Sequence, residues 1–255
     1  TFAQVDDLGQ IEEKDFTDAH LDAVLALPTV DVEAVRAAGF KVALDAVNSV
    51  GGIIMPRLLE RMGVECVCVN CEPTGEFAHN PEPLPSNLVE LCEAVVANGA
   101  DFGISVDPDV DRLALICENG QPFGEEYTLV SVADYLLSRI YNEALETGKS
   151  IEEIAAPYQM VTSSNLSASR ALRDVTEQYG GEYCTAAVGE VNVTTKMREA
   201  GALIGGEGNG GVIYPALHYG RDAMVGVALF LTNLAHKKMK VSELRATYPE
   251  YVIAK

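Results

Sequence analysis

Asp101-Phe102-Gly103-Ile104-Ser105-Val106-Asp107-Pro108-Asp109-Val110-Asp111-Arg112-Leu113-Ala114-Leu115-Ile116-Cys117 sets an apolar, β-rich run on each side of a short acidic loop. Runs of this kind, apolar without strict alternation, are strands buried on both faces, as in a sheet covered by helices. The upstream sequence agrees. Lys41 to Val47 is a continuous β-rich run, Asn48 to Gly52 a small-residue turn, and Ile53 to Met62 an amphipathic helix closed by Gly63. Cys66 to Val69 reads as the next strand. Pro and Gly then crowd Glu72 to Pro85, and Ser86 is placed to cap a helix over 87–97. After Leu113 to Cys117, Glu118-Asn119-Gly120 has the composition of a hairpin turn.

The second half repeats the plan. Glu126 to Glu146 opens it as a helix, Ala156 to Val161 is strand-like, Thr162-Ser163-Ser164-Asn165 reads as a small polar turn, and Ser167 to Gly180 as a helix and its stop. Glu182 to Ala186 is a strand and Val193 to Ala200 a helix. Ala202 to Gly205 is a strand ending in Gly206-Glu207-Gly208-Asn209-Gly210-Gly211, after which Val212 to Tyr214 resumes the sheet. Asp222 is placed to cap a helix from Ala223 to Leu234. Alternation of this sort predicts two tandem three-layer α/β/α domains with mixed sheets, divided near Gly120 to Tyr127.

With 255 residues, 48% of them apolar, the chain can fill real cores. Its 18 Lys plus Arg against 38 Asp plus Glu leave a net charge of −20, which argues against nucleic-acid and anionic-membrane partners. An anionic ligand must then meet a local exception: a cation, an Arg or a helix N-terminus. No apolar stretch approaches the roughly 20 residues that span a bilayer. The polar start, residues 1–18, has neither the basic nor the apolar region of a secretory signal, and a cytoplasmic protein is expected. Six cysteines in strand-like, apolar surroundings fit thiols in a reducing compartment. Cys68 and Cys71 have the gap of a zinc knuckle, but no second such pair follows to complete it.

Asp107, Asp109 and Asp111 alternate along a tight loop, so three carboxylates can converge on one point. Like charges that close repel by some kcal/mol unless a hard divalent cation sits between them. Mg²⁺ suits all-oxygen ligation with positions open to water or a phosphoryl oxygen. Arg112, next in sequence, offers a planar fork for phosphate. A merely solvated acidic turn is the bland alternative. A calcium loop is a second, but it needs Gly where Arg112 stands and helices where the flanks are strand-like.

The string Asp107 to Arg112 resembles the metal-binding loop of the α-D-phosphohexomutase family, the phosphoglucomutases, phosphomannomutases and phosphoglucosamine mutases. Gly206 to Gly211 resembles the same family's sugar-binding loop. Asp45 to Gly52 and Glu72 to Leu88 resemble segments that precede the metal loop, so the likeness runs from about Asp18 to Leu234. It implies a phosphoglucomutase-like fold, with Asp107, Asp109 and Asp111 binding Mg²⁺ and Arg112 holding the reaction centre. It also implies that Glu207 and Asn209 grip hexose hydroxyls, with Gly189 and Glu190 in a further substrate-side turn. The family reaction interconverts hexose 1-phosphate and 6-phosphate through a phosphoserine and a bisphosphate. The resemblance further implies a linker remnant over 1–17, a metal-binding domain over 18–121, a sugar-binding domain over 122–240 and the start of a linker over 241–255.

Some positions depart from the pattern. Asn209 and Gly211 stand where the family commonly has Ser and His, and a Lys often found near Ala187 is absent. His218 is close enough in sequence to take over proton transfer, and His79 is a second candidate. Neither the family's Ser-His-Asn-Pro-like loop nor its distal-phosphate clamp occurs here. The expectation is therefore two middle domains of a four-domain enzyme, partnered by a hexose phosphate and by the enzyme's own N- and C-terminal domains, without turnover alone. A sugar-phosphate and metal-binding module without catalysis is one alternative. A dinucleotide enzyme is another, since Gly206, Gly208 and Gly211 satisfy Gly-x-Gly-x-x-Gly, although a strand and Pro215 follow where that fingerprint needs a helix.

Overall fold

The computed structural model describes residues 2, 4, 6 and 9–251. Part of the expected 1–17 linker and the end of the 241–255 linker thus lie outside the described residues. The first sheet contains β1 (Lys41–Asp45), β2 (Glu65–Val69), β3 (Phe102–Val106) and β4 (Leu113–Cys117), in the order β2-β1-β3-β4. Only β4 runs antiparallel. Side chains alternate across this sheet. Ala43, Ala114 and Ile116 face α4 (Val89–Ala97) through Leu91 and Val95. Val42, Leu44, Phe102, Ile104 and Leu115 point the other way, into the core with α1 (Thr17–Leu25), α2 (Val32–Ala38) and α3 (Gly51–Arg61).

The second sheet repeats the topology. It contains β5 (Gln159–Asn165), β6 (Glu182–Ala186), β7 (Ala202–Gly206) and β8 (Val212–Ile213), in the order β6-β5-β7-β8 with β8 antiparallel. Its helices are α5 (Glu125–Thr147), α6 (Ile151–Ala155), α7 (Ala171–Gln178), α8 (Glu190–Ala200) and α9 (Ala223–Lys237). Helix α9 is apolar around most of its girth and buried along nearly all its length, as a helix shared between two layers must be. Its Phe230 ring meets Phe102 of the first sheet at 5.4 Å and Phe123 at 5.6 Å, both edge-on. One core therefore runs through both units. Among the described residues no helix is long and apolar enough to cross a membrane.

The structure departs from the sequence reading at several points. Thr162 to Asn165 is not a turn but the buried end of the central strand β5. Thr162 pairs with Thr176 of α7 at 2.6 Å, Ser164 with Tyr183 of the neighbouring strand at 2.8 Å and Asn165 with Glu207 at 2.8 Å, so most of a polar string can lie in a core, while the Ser163 hydroxyl is buried without a partner. Ser86 caps nothing. It lies in a short 3₁₀ turn, Pro85–Asn87, and α4 starts after Leu88 without a side-chain cap. Helix α7 begins at Ala171, later than Ser167. Helices α1 and α2 were not legible as elements, and residues 241–246, expected as linker, form α10 (Val241–Ala246), whose Val241 and Leu244 are buried together with Tyr248.

Candidate functional site

Topology puts the two distinctive loops in equivalent places, between β3 and β4 and between β7 and β8. Strand β3 delivers Asp107 into the interior, where its Oδ1 accepts the backbone N–H groups of Asp111 at 3.1 Å and Arg112 at 3.0 Å. The loop is thus wound around its first carboxylate. The reversal passes through Val110 at φ 61°, a left-handed conformation that a β-branched residue rarely adopts and that marks stored strain. Oxygens of Asp107, Asp109 and Asp111 converge to within 4.8 Å of one another. Burial, and then the charge of Asp107, push the Asp111 carboxyl up to about 7 against the pull of Arg221.

Two polar atoms in this loop are buried and lack hydrogen-bond partners, Asp111 Oδ1 and Arg112 Nε. They are 3.7 Å apart. Arg112 Nε does lie 2.8 Å from Asp107 Oδ2, a charge contact without hydrogen-bond alignment, and Arg112 Nη1 meets Glu82 at 2.5 Å. An orphaned carboxylate lone pair within an all-oxygen donor set fits a hard cation, and an orphaned guanidinium N–H fits an anion beside it.

The glycine loop lies against this one. Arg112 and Gly211 form an antiparallel bridge, and Leu113 N donates to Gly210 O at 3.1 Å. Two glycines make that approach possible. Gly210 has φ +88°, and a Cβ there would stand 2.4 Å from Leu113 O; a Cβ on Gly211 would strike the Arg221 side chain at 2.4 Å. Glu207 is buried, its Oε1 accepting from Asn165 Nδ2 at 2.8 Å and Gly189 N at 3.3 Å, its Oε2 from Arg221 at 2.9 Å. Arg221 also pairs with Asp111 and, through Nε at 3.2 Å, with Glu190. One guanidinium therefore spans the acidic loop, the glycine loop and the start of α8. Asn209 Oδ1 accepts from Gly211 N at 3.2 Å, closing the glycine loop on itself.

Residues 18–120 match the family model described as phosphoglucomutase/phosphomannomutase, alpha/beta/alpha domain II, and residues 133–251 match the corresponding domain III. The chain belongs to this family. A protein named phosphoglucomutase/phosphomannomutase from Thermococcus kodakarensis is 34% identical over 250 residues, 98% of this chain and 51% of that protein. A phosphoglucosamine/phosphogalactosamine mutase from Sulfurisphaera tokodaii is 30% identical over 231 residues, 90% of this chain and 47% of that protein. The chain spans about half the length of the curated relatives it matches. A solved phosphoglucomutase/phosphomannomutase family protein from Burkholderia thailandensis superposes with a TM-score of 0.79 at 27% identity, over 94% of this chain and 48% of that one.

In this phosphohexomutase-family chain the structure brings together Asp107, Asp109, Asp111, Arg112, Glu207, Asn209, Gly189 and Glu190. Sequence reasoning missed Arg221. Its signals were weak: a scarce cation in a chain of net charge −20, in a loop directly before a helix cap. His218 makes its hydrogen bonds outside this group, with Nε2 donating to Asp222 Oδ2 at 3.0 Å and Nδ1 accepting Gly220 N at 2.9 Å, which fixes one tautomer. Asp222 caps α9 through Met224 N and Val225 N, and also takes His20 Nε2 of α1 at 2.8 Å. Burial alone would raise the Asp222 carboxyl, but the hydrogen bonds from His20 and His218 hold it well below the usual range.

The hydrogen bond to Asp222 raises His20 above its ordinary 6.5, against the opposing effect of burial. A base raised on folding stabilises fully below its unfolded pKa and loses that contribution as pH rises through the folded value. We expect the melting-temperature gap between the native chain and His20→Gln to correspond to roughly 0.5 kcal/mol at pH 5.5 and to shrink towards pH 8.5. A gap independent of pH would contradict the clasp.

His79 anchors the preceding loop. Its Nε2 donates to the buried Asp45 at 3.0 Å, and Asp45 also accepts Val47 N at 2.9 Å. Glu82, three residues beyond His79, is the partner of Arg112, so the His79 to Asp45 bond steadies the support of the arginine.

Proposed function

We propose that this chain carries the metal-binding and sugar-binding surfaces of a phosphohexomutase that interconverts hexose 1-phosphate and 6-phosphate through a phosphoserine and a bisphosphate intermediate. The observation that carries the proposal is the orphaned pair, Asp111 Oδ1 and Arg112 Nε, 3.7 Å apart in the acidic loop. It is what a cation and a phosphate oxygen, arriving together, would satisfy. Asp107, Asp109 and Asp111 would hold Mg²⁺, which when bound supplies positive charge to the phosphoryl group in transfer. Asp107 shapes the loop by accepting its two N–H groups. Arg112, braced by Glu82, presents its fork to a phosphate. Glu207 and Asn209 present acceptor and amide groups to hexose hydroxyls, with Gly189 and Glu190 at the rim. Arg221 keeps the metal-side and sugar-side carboxylates at a fixed spacing before ligands arrive. His218, oriented by Asp222 and Gly220 N, is the candidate for proton exchange with a hydroxyl.

On this reading the phosphoserine and the distal-phosphate clamp belong to parts of the enzyme outside these 255 residues, and the protein works in the cytoplasm, consistent with its six free thiols. The dinucleotide alternative loses its footing because the glycine loop runs into β8, leaving no helix N-terminus to receive a pyrophosphate. The test is calorimetric titration of glucose 1,6-bisphosphate with and without Mg²⁺, alongside a mutase assay on glucose, mannose and glucosamine phosphates. We expect Mg²⁺-dependent binding that weakens at least tenfold in Glu207→Gln, and no turnover. Absence of bisphosphate binding would overturn the proposal, and sustained turnover would overturn the assignment of the remaining parts.

A further inference from the structure

Glu207, the carboxylate offered above to hexose hydroxyls, already has most of its hydrogen-bonding capacity taken up inside the protein. An ionised carboxylate has about four acceptor sites, two on each oxygen. Glu207 Oε1 accepts Asn165 Nδ2 at 2.8 Å and Gly189 N at 3.3 Å, which fills it. Oε2 accepts Arg221 Nη1 at 2.9 Å, which leaves one lone pair for a ligand. Of these three donors, Asn165 is the one set on regular strand backbone. It ends the central strand β5 in register with Ala186 of β6, and its carbonyl accepts Ala168 N at 3.2 Å. Gly189, by contrast, sits in a turn at φ 113°, and Arg221 is shared with Asp111 and Glu190.

The Asn165 side chain is buried, and Ser167 Oγ donates to its Oδ1 at 3.0 Å. That bond decides which end of the amide faces the carboxylate: the oxygen is engaged by Ser167, and the N–H group is turned to Glu207. We infer that Asn165 is a positioning residue for hexose recognition, holding Glu207 Oε1 so that Oε2 is left to accept one hydroxyl of the sugar. The role rests on the mutase reading and narrows it. Glu207 takes a single hydroxyl and does not bridge a vicinal pair through both of its oxygens. The second member of such a pair falls to Asn209, whose Oδ1 is engaged with Gly211 N and which therefore serves through Nδ2.

Asn165→Asp keeps the shape of the side chain but replaces the donor facing Oε1 with an acceptor. At pH 8 two carboxylates then face each other and repel, Glu207 turns, and Oε2 is no longer aimed at the sugar. At lower pH the pair holds one shared proton, an O–H takes the place of the amide N–H, and the position of Glu207 returns.

The test is calorimetric titration of glucose 1,6-bisphosphate, with Mg²⁺ present throughout, into the native chain, Asn165→Asp, Glu207→Gln and the double variant, at pH 5.5 and pH 8. We expect Asn165→Asp to bind about tenfold more weakly than the native chain at pH 8 and within about threefold of it at pH 5.5. On the Glu207→Gln background the same substitution should cost less than about twofold at pH 8, because the carboxylate it acts through is gone. An equal loss at both pH values, or losses that multiply in the double variant, would overturn the role. One measurement reads the native chain and depends on no variant folding. The Asn165 side-chain amide protons, followed by NMR, should stay protected from exchange with the bisphosphate bound, and their exposure would overturn the role as well. Absence of bisphosphate binding by the native chain would instead refute the mutase reading on which the role rests.

Discussion

Arg221→Ala is expected to lower the stability of the chain by about 3 kcal/mol, because it leaves Asp111, Glu190 and Glu207 facing one another with their shared cation removed. The size follows from burial. Glu207 is 6% exposed at the side chain and Arg221 and Asp111 are each 18% exposed, so solvent screens this cluster far less than a surface pair, while Glu190 at 34% contributes less. Arg221→Lys should recover less than half of the loss, since a single ammonium cannot present separate N–H donors to three carboxylates. Urea unfolding of the three proteins measures this. A loss under 1 kcal/mol in the alanine variant would show that the carboxylates are not held together by Arg221. Adding Mg²⁺ sharpens the comparison: an ion in the acidic loop replaces part of the missing charge, so the alanine variant should gain more from Mg²⁺ than the native chain does.

Gly210→Ala is the second large effect, again about 3 kcal/mol, and it acts through backbone rather than charge. The position has φ +88°, costly for any residue with a Cβ, and the added carbon would sit 2.4 Å from the Leu113 carbonyl oxygen. Relief requires the glycine loop to draw back from β4, which breaks the Leu113 N to Gly210 O hydrogen bond and the Arg112 to Gly211 bridge. Loss of protection of the Leu113 amide in hydrogen exchange, beyond that explained by global destabilisation, is the specific signature. Gly208→Ala is the control, because its Cβ would meet Ala168 no closer than 3.0 Å and does not touch the acidic loop. Equal effects of the two substitutions would remove the reason for treating the loops as one site.

What the sequence disclosed depended on how local the cause was. Asp107 to Arg112 was legible because its carboxylates are sequence neighbours, flanked by strands whose apolar runs declare themselves. Asp222 was legible as a helix cap for the same reason, and its side chain does accept the Met224 and Val225 amides. The role of Arg221 was not. It rests on Asp111 and Glu207, 96 positions apart in sequence, meeting through a backbone pairing that no periodicity encodes. Thr162 to Asn165 misled because hydroxyl-rich strings usually mark turns, whereas here the partners Thr176, Tyr183 and Glu207 come from other elements. Gly211, a departure from the family pattern, acquires a physical reason in the structure: the space a side chain would need is filled by Arg221.

The central claim is that the three aspartates form one divalent-cation site. Its most direct test is calorimetric titration of Mg²⁺ into the native chain and into Asp109→Asn, a substitution at an exposed side chain. We predict one ion per chain, bound at least tenfold more weakly by the variant, with the two apo proteins melting together. Equal Mg²⁺ affinity in both proteins would contradict the account.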